Sequence, residues 1–199
     1  MPASYAARML VVEPSIRTER LLLRPFRPDD LDAVHAIDRL PSVARYLYSG
    51  PRDREGSRVA LSRKVAARTI RGPGDHLSLA VVLPDQDLLI GDVVLEWAEN
   101  EHREGQIGYV FHPEHHGHGY ATEAGAALLR LGFETLRLHR IVARCDARNT
   151  ASARVMERLG MRREAHVVEN ELVKGEWTDE LVYALLDREW RRQERSRAG

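Results

Sequence analysis

The order of apolar and polar positions predicts a chain that alternates short strands with amphipathic helices. Residues 19–26 read as a first strand, and Pro28-Asp29-Asp30 then opens a helix whose Leu31, Val34 and Ile37 share one face. The two acidic residues suit the positive end of that helix dipole. Residues 41–48 read as a second short helix. Residues 54–70 read as a third, with Val59, Val65, Ala66 and Ile70 as its apolar stripe and Gly72-Pro73-Gly74 as its stop. Three antiparallel strands follow at 77–83, 88–97 and 106–111, separated by the polar turns 84–87 and 98–103.

The next helix begins near Tyr120 and buries Ala121, Ala124, Leu128 and Leu131. Residues 139–145 form a β-branched strand, and residues 149–159 a helix stopped by Gly160. Residues 161–173 and 176–185 read as a closing hairpin turned at Lys174-Gly175, followed by a charged helix over 187–195. Residues 1–17 are expected to be an arm, with 9–12 as a short added strand, residues 18–190 one domain, and residues 191–199 a tail.

One stretch organises this pattern. Phe111-His-Pro-Glu-His-His-Gly-His-Gly-Tyr-Ala-Thr-Glu-Ala124 leaves a strand, passes Gly117 and Gly119, and enters a helix directly. The first N–H groups of a helix lack intrahelical acceptors, and the helix dipole favours an anion there. Glycines allow the backbone to approach such an anion closely. A nucleotide P-loop requires Lys and Ser/Thr after its last glycine, and here Tyr120 and Ala121 follow. A dinucleotide loop requires a third glycine where this chain has Glu123-Ala124. The remaining reading is a pyrophosphate held by backbone amides.

Composition narrows the classes. The 199 residues suit a single domain, and 43% hydrophobic residues suit a globular core. Thirty basic residues balance thirty acidic ones, so no general positive field favours nucleic acid. Cys145 is the only cysteine, which excludes an intrachain disulfide and fits a reducing, cytoplasmic compartment. No apolar run approaches the roughly 20 residues of a membrane span.

His116-Gly117-His118-Gly119-Tyr120-Ala121 resembles the acetyl-CoA signature of the GCN5-related N-acetyltransferases (GNATs), Arg/Gln-x-x-Gly-x-Gly/Ala, with His116 in place of Arg or Gln. The longer run Gly-x-Gly-Tyr-Ala-Thr-Glu-Ala is similar to the subgroup that contains the ribosomal-protein N-terminal acetyltransferases. The opening Thr18-x-Arg-Leu-x-Leu-Arg resembles the start of that subgroup, and Asn149-Thr-Ala-Ser152 with Leu159-Gly-Met is similar to the family's Asn-x-x-Ser helix. The resemblance covers roughly residues 18–190. It implies an α/β (α+β) fold: a twisted, mixed, mainly antiparallel sheet of about seven strands, flanked by helices and splayed where acetyl-CoA enters.

The resemblance also implies roles. The pyrophosphate would rest on the amides of Gly117, His118, Gly119, Tyr120 and Ala121. The pantetheine would add like a strand beside Val110 and Phe111, whose backbone would supply the oxyanion donor. Asn149 would bond the pantetheine arm or cap its helix. Ser152 would give a proton to the departing thiolate, because the tyrosine common seven residues after the Asn is Met156 here. Cys145 and Tyr120 are weaker substitutes for that acid.

The attacking amine must be neutral, which calls for a base or a water chain. Relatives often carry Glu at the position of Gln106, so Glu96, Glu104 and a water relay remain open. Protonated His116 or His118 would pair with CoA phosphates. Zinc or nickel on His112, His115, His116 and His118 is disfavoured, because an anion loop does not fix a ligand tetrahedron.

The expected activity is transfer of an acetyl group from acetyl-CoA to a primary amine by direct attack, without a metal. The acceptor is a small-molecule amine or a protein N-terminus, and nucleic acid and membrane are not expected partners. Trp97, Trp177, Tyr46 and Tyr48 are candidates for its pocket. The arm and terminal helix are the surfaces on which a homodimer is considered. A CoA-binding module without catalysis, favoured by Gln106 and Met156, and a longer-acyl transferase are the alternatives.

Overall fold

The computed structural model describes residues 9–12 and 15–198. Its elements in order are β1 (Leu10–Val11), β2 (Ile16–Arg17), β3 (Leu22–Pro25), α1 (Leu31–Asp38), α2 (Pro41–Ala44), α3 (Arg54–Ala66), β4 (Thr69–Ile70) and β5 (His76–Leu83). They continue as β6 (Leu88–Trp97), β7 (Glu104–Phe111), α4 (Tyr120–Arg130), β8 (Arg140–Asp146), α5 (Thr150–Arg158), β9 (Arg162–Val173), β10 (Glu176–Leu186) and α6 (Asp187–Ala198). None of the described helices is long and apolar enough to cross a membrane.

Eight strands form one mixed sheet in the order β2-β3-β5-β6-β7-β8-β10-β9. Every neighbouring pair is antiparallel except β7 and β8. The parallel pair is joined through α4, as a crossover requires. Alternation along the strands divides the core between the two faces. Leu79 and Val81 of β5 and Val93 and Leu95 of β6 pack with Ala124, Leu128 and Leu129 of α4, Met156 of α5 and Trp190 of α6. Ala80 and Val82 of β5 pack instead with Val34 and Ile37 of α1 and Leu61 of α3.

The sheet has one strand more than expected because Ile16–Arg17 pairs with Leu22 and Leu23. Helix α3 stops at Ala66, short of the expected Ile70. Ala67 leaves the helix at ψ 64°, and its carbonyl accepts from the Ser78 N–H of β5 at 2.8 Å. Thr69 and Ile70 then pair with Val11 and Leu10 of the arm, and Ile70 is fully buried. A strand partner distant in sequence thus removes Ile70 from a helical stripe that periodicity allowed. Helix α6 runs without a break past residue 190.

Candidate active site

The site begins where β7 and β8 part. They are in register at only three positions, Glu104 with Arg140, Gly105 with Ile141 and Gln106 with Val142. Beyond these, β7 stays paired to β6 as far as Phe111, and β8 stays paired to β10 as far as Asp146. A wedge therefore opens between two strands that are each fixed on their outer side.

The orientation of the β7 peptides follows from its outer ladder. The His112 N–H donates to Ile90 O at 2.8 Å, and the Ala98 N–H donates to Glu104 O at 2.9 Å. Even-numbered residues of β7 thus direct N–H and C=O at β6, and odd-numbered residues direct theirs at the wedge. Tyr109 and Phe111 turn their N–H groups there, beyond the last β7–β8 register pair, while the Phe111 carbonyl is taken by His116. The Val110 peptide is committed to Asp92 of β6, and its side chain packs with the α1/α3 core.

The loop after Phe111 is fixed by its own side chains. His112 Nδ1 accepts from the Glu114 N–H at 3.3 Å. His116 Nε2 lies 3.0 Å from Phe111 O; a carbonyl only accepts, so Nε2 carries the proton. Gly117 and Gly119 take φ of +81° and +82°. A Cβ on Gly117 would meet nothing within 4 Å, and one on Gly119 only the Arg20 guanidinium at 3.5 Å. These glycines are therefore required by backbone conformation and not by space. Gly119 is the N-cap of α4 and supplies no side-chain cap. The N–H groups at the start of α4 are left for an external acceptor.

Two residues in the turn between β2 and β3, Thr18 and Arg20, hold this junction, and sequence reasoning gave them no role in the site. Thr18 Oγ1 donates to Glu123 Oε1 at 2.6 Å. The Arg20 N–H donates to the same oxygen, and Arg20 Nε to Glu123 Oε2, both at 2.8 Å. Arg20 Nη1 donates to His118 O at 2.9 Å, and its guanidinium lies over the Tyr120 ring. Burial alone would raise the Glu123 carboxyl, but the bonds from Thr18 and Arg20 outweigh it and hold Glu123 below the usual carboxylate range. The signal for this lay in the Thr18-x-Arg20 motif, whose partner is about a hundred residues away.

Across the wedge, Asn149 caps α5 by accepting the Ser152 N–H at 3.1 Å. Ser152 is half-buried, and its hydroxyl has no hydrogen-bond partner among the described residues. Tyr109 was also missed: from β7 its phenol reaches α5 and donates to Ser152 O at 3.0 Å. Burial pushes that phenol well above its ordinary value, so it stays protonated. Met156 is core. Cys145 is half-buried, and burial pushes its thiol up to about 11.

The two base candidates separate. Glu96 is exposed on β6, beside Gln106 in register, on the same side of the strand as Asp92, which bonds Lys64 of α3. Glu104 lies at the closed end of the wedge, where Arg140 Nε donates to it at 3.0 Å. Seven strand residues, roughly 23 Å, separate it from Phe111.

The four histidines of the loop do not converge. His116 faces Phe111 O, His118 stacks on Tyr120, and His112 and His115 meet at 6.0 Å between ring centres. Among the described residues no three His, Cys, Asp or Glu side chains group as metal ligands. Trp97 is buried, whereas Trp177 and Tyr48 are exposed; Tyr48 Oη donates to Glu171 of β9 at 2.8 Å. Lys174 Nζ donates to Ala44 O at 2.7 Å and ties the β9–β10 turn to α2.

A sheet that opens between two parallel strands onto an uncapped, glycine-led helix defines an acyl-CoA-type transferase site. The sequence model of the family described as acetyltransferase (GNAT) domain matches residues 20–162, and the chain belongs to this family. It is 37% identical over 175 residues to the uncharacterized N-acetyltransferase YnaD of Bacillus subtilis (strain 168), covering 88% of this chain and 98% of that one. A crystal structure of a GNAT-family acetyltransferase from Bacillus anthracis superposes with a TM-score of 0.79 at 35% identity, covering 88% and 99% of the two chains. The spermidine N(1)-acetyltransferase of Escherichia coli (strain K12) is 24% identical over 84% of this chain and 87% of its own. The protein is an acetyl-CoA-dependent N-acetyltransferase.

Proposed function

We propose that the chain moves an acetyl group from acetyl-CoA to a primary amine of a small molecule or a protein N-terminus, by direct attack in the wedge. The observation that carries this reading is the continuity of two sets of outward-facing backbone N–H donors. The wedge-facing N–H groups of Tyr109 and Phe111 lead straight to the uncapped N-terminus of α4.

In this mechanism the amides of Gly117 to Ala121 receive the pyrophosphate. An N–H of Tyr109 or Phe111 meets the developing oxyanion of the thioester, while Val110 lends only its side chain to the wall. The amine attacks the thioester carbonyl, the C–S bond breaks, and the Ser152 hydroxyl supplies the proton to the thiolate. Glu96, alone or through water, takes the proton lost by the amine. Glu104 is spoken for by Arg140 and is not needed as a base.

A small cationic amine is the favoured acceptor, since a relative is named for spermidine; the subgroup signature keeps a protein N-terminus as the second. Cytoplasmic action belongs to the same proposal. Calorimetric titration with acetyl-CoA, then CoA release with spermidine and with a peptide bearing a free N-terminus, tests it. Expected are acetyl-CoA binding that Gly119→Pro abolishes and turnover with at least one amine. Folded protein that binds neither acetyl-CoA nor CoA sinks the reading.

A further inference from the structure

A pocket of about 540 Å3 lies at the C-terminal end of β3, and acetyl transfer leaves it without a task. Strands β5 and β6 stand between β3 and β7, so the pocket is not an extension of the wedge. Its apolar walls are Pro25, Phe26, Pro28 and Val65, and its cations are Arg24, Arg27 and Arg68.

The three guanidinium groups differ in what they already hold. Arg24 is buried and gives two bonds to Asp30, at 2.7 and 2.8 Å, and a third to Pro25 O. Its charge is neutralised, and it acts as a rigid back wall. Lys64, next to Val65, is likewise consumed by Asp92 at 2.6 Å and rests over the Phe26 ring. Arg27 and Arg68 are exposed, and neither side chain has a carboxylate partner among the described residues. Their backbones are fixed: the Arg27 N–H donates to Asp30 Oδ2 at 2.7 Å, and the Arg68 N–H to Ala66 O at 3.0 Å. Asp29 and Asp87 act on Arg24 but do not line the pocket.

Two guanidinium groups without a carboxylate partner among the described residues, carried on fixed backbone, thus line a preformed pocket beside apolar walls. Guanidinium geometry matches carboxylate and phosphate oxygens, and its weak hydration makes that exchange favourable. The proline and phenylalanine walls suit a flat or branched apolar body. We infer that this pocket is a second ligand site for a small organic anion, a carboxylate or phosphate on an apolar body, independent of the acetyl-CoA site.

The test titrates the full chain with benzoate, phenyl phosphate and the neutral benzyl alcohol, followed by calorimetry or NMR, with and without saturating CoA. Expected are binding of at least one anion, at least ten-fold tighter than benzyl alcohol, and at least ten-fold weakening in the Arg27→Ala/Arg68→Ala variant. CoA leaves the affinity unchanged. The tighter of the two anions identifies the headgroup. Absence of anion binding, equal binding to the double variant, or equal binding of benzyl alcohol overturns the site. Displacement by CoA also overturns it, by assigning the anion to the phosphate loop. Both arginines are exposed, and circular dichroism verifies folding; Arg68→Glu gives the same reading if the double variant does not fold.

Discussion

Gly119 is where one residue's backbone freedom carries the site. At φ +82° any L side chain is strained by about 1–2 kcal/mol. Gly119→Ala is therefore expected to lose about that much stability in urea unfolding and to weaken acetyl-CoA binding at least ten-fold by calorimetry. Ser152 and Asn149 are separable: Ser152→Ala is expected to lower kcat by about 10²-fold with the acetyl-CoA KM little changed. Asn149→Ala instead loses a helix cap worth about 1 kcal/mol, read in the unfolding midpoint. Glu123 gives a pH signature. Its folded value lies below its unfolded one, so its contribution is present above the unfolded value of about 4.3 and fades as pH falls through the folded value. Glu123→Gln is expected to flatten that acid limb in thermal melts at pH 3 to 7. The positive φ of Gly117 and Gly119 was legible in sequence because such a backbone leaves a compositional trace. The role of Tyr109 was not, because its carbonyl partner on α5 can be identified only after folding.

At the scale of elements, the site depends on how closely β6 and β7 lie at their shared end. A Cβ on Gly91 would collide with Val110 O and stand 2.8 Å from the Phe111 ring. Gly91→Ala must push β7 toward the wedge. The expected cost is about 1–3 kcal/mol, with a raised acetyl-CoA KM in steady-state assays. The strand and helix order was readable because the strands are short β-rich apolar runs bounded by polar turns, several of them buried on both faces, and most helices present one apolar stripe. It failed at residues 67–70, where the apolar spacing continued but the backbone was captured by Ser78 and the arm.

For the whole molecule, the wedge joins two halves of the sheet that share only three register pairs. A ligand bridging them stabilises the native state alone. At a hundred times its Kd, acetyl-CoA contributes about 2.7 kcal/mol, which for a chain of this size is a rise in Tm of about 5–10 °C. Scanning fluorimetry is expected to show that rise in wild type and not in Gly119→Pro. An equal rise in both would place acetyl-CoA elsewhere.

What the sequence determined by itself is local: the glycines and uncapped helix start after Phe111, the Asn cap of α5, the apolar runs that build the strands, and a motif specific enough to point to the family. These depend on backbone conformation and on neighbours within a few residues. Only the tertiary structure decided which peptides of β7 face the wedge, that Thr18 and Arg20 hold Glu123, that Arg140 occupies Glu104, and that Arg27 and Arg68 share a pocket. Those outcomes depend on strand register and on contacts between residues tens of positions apart, which no local pattern encodes.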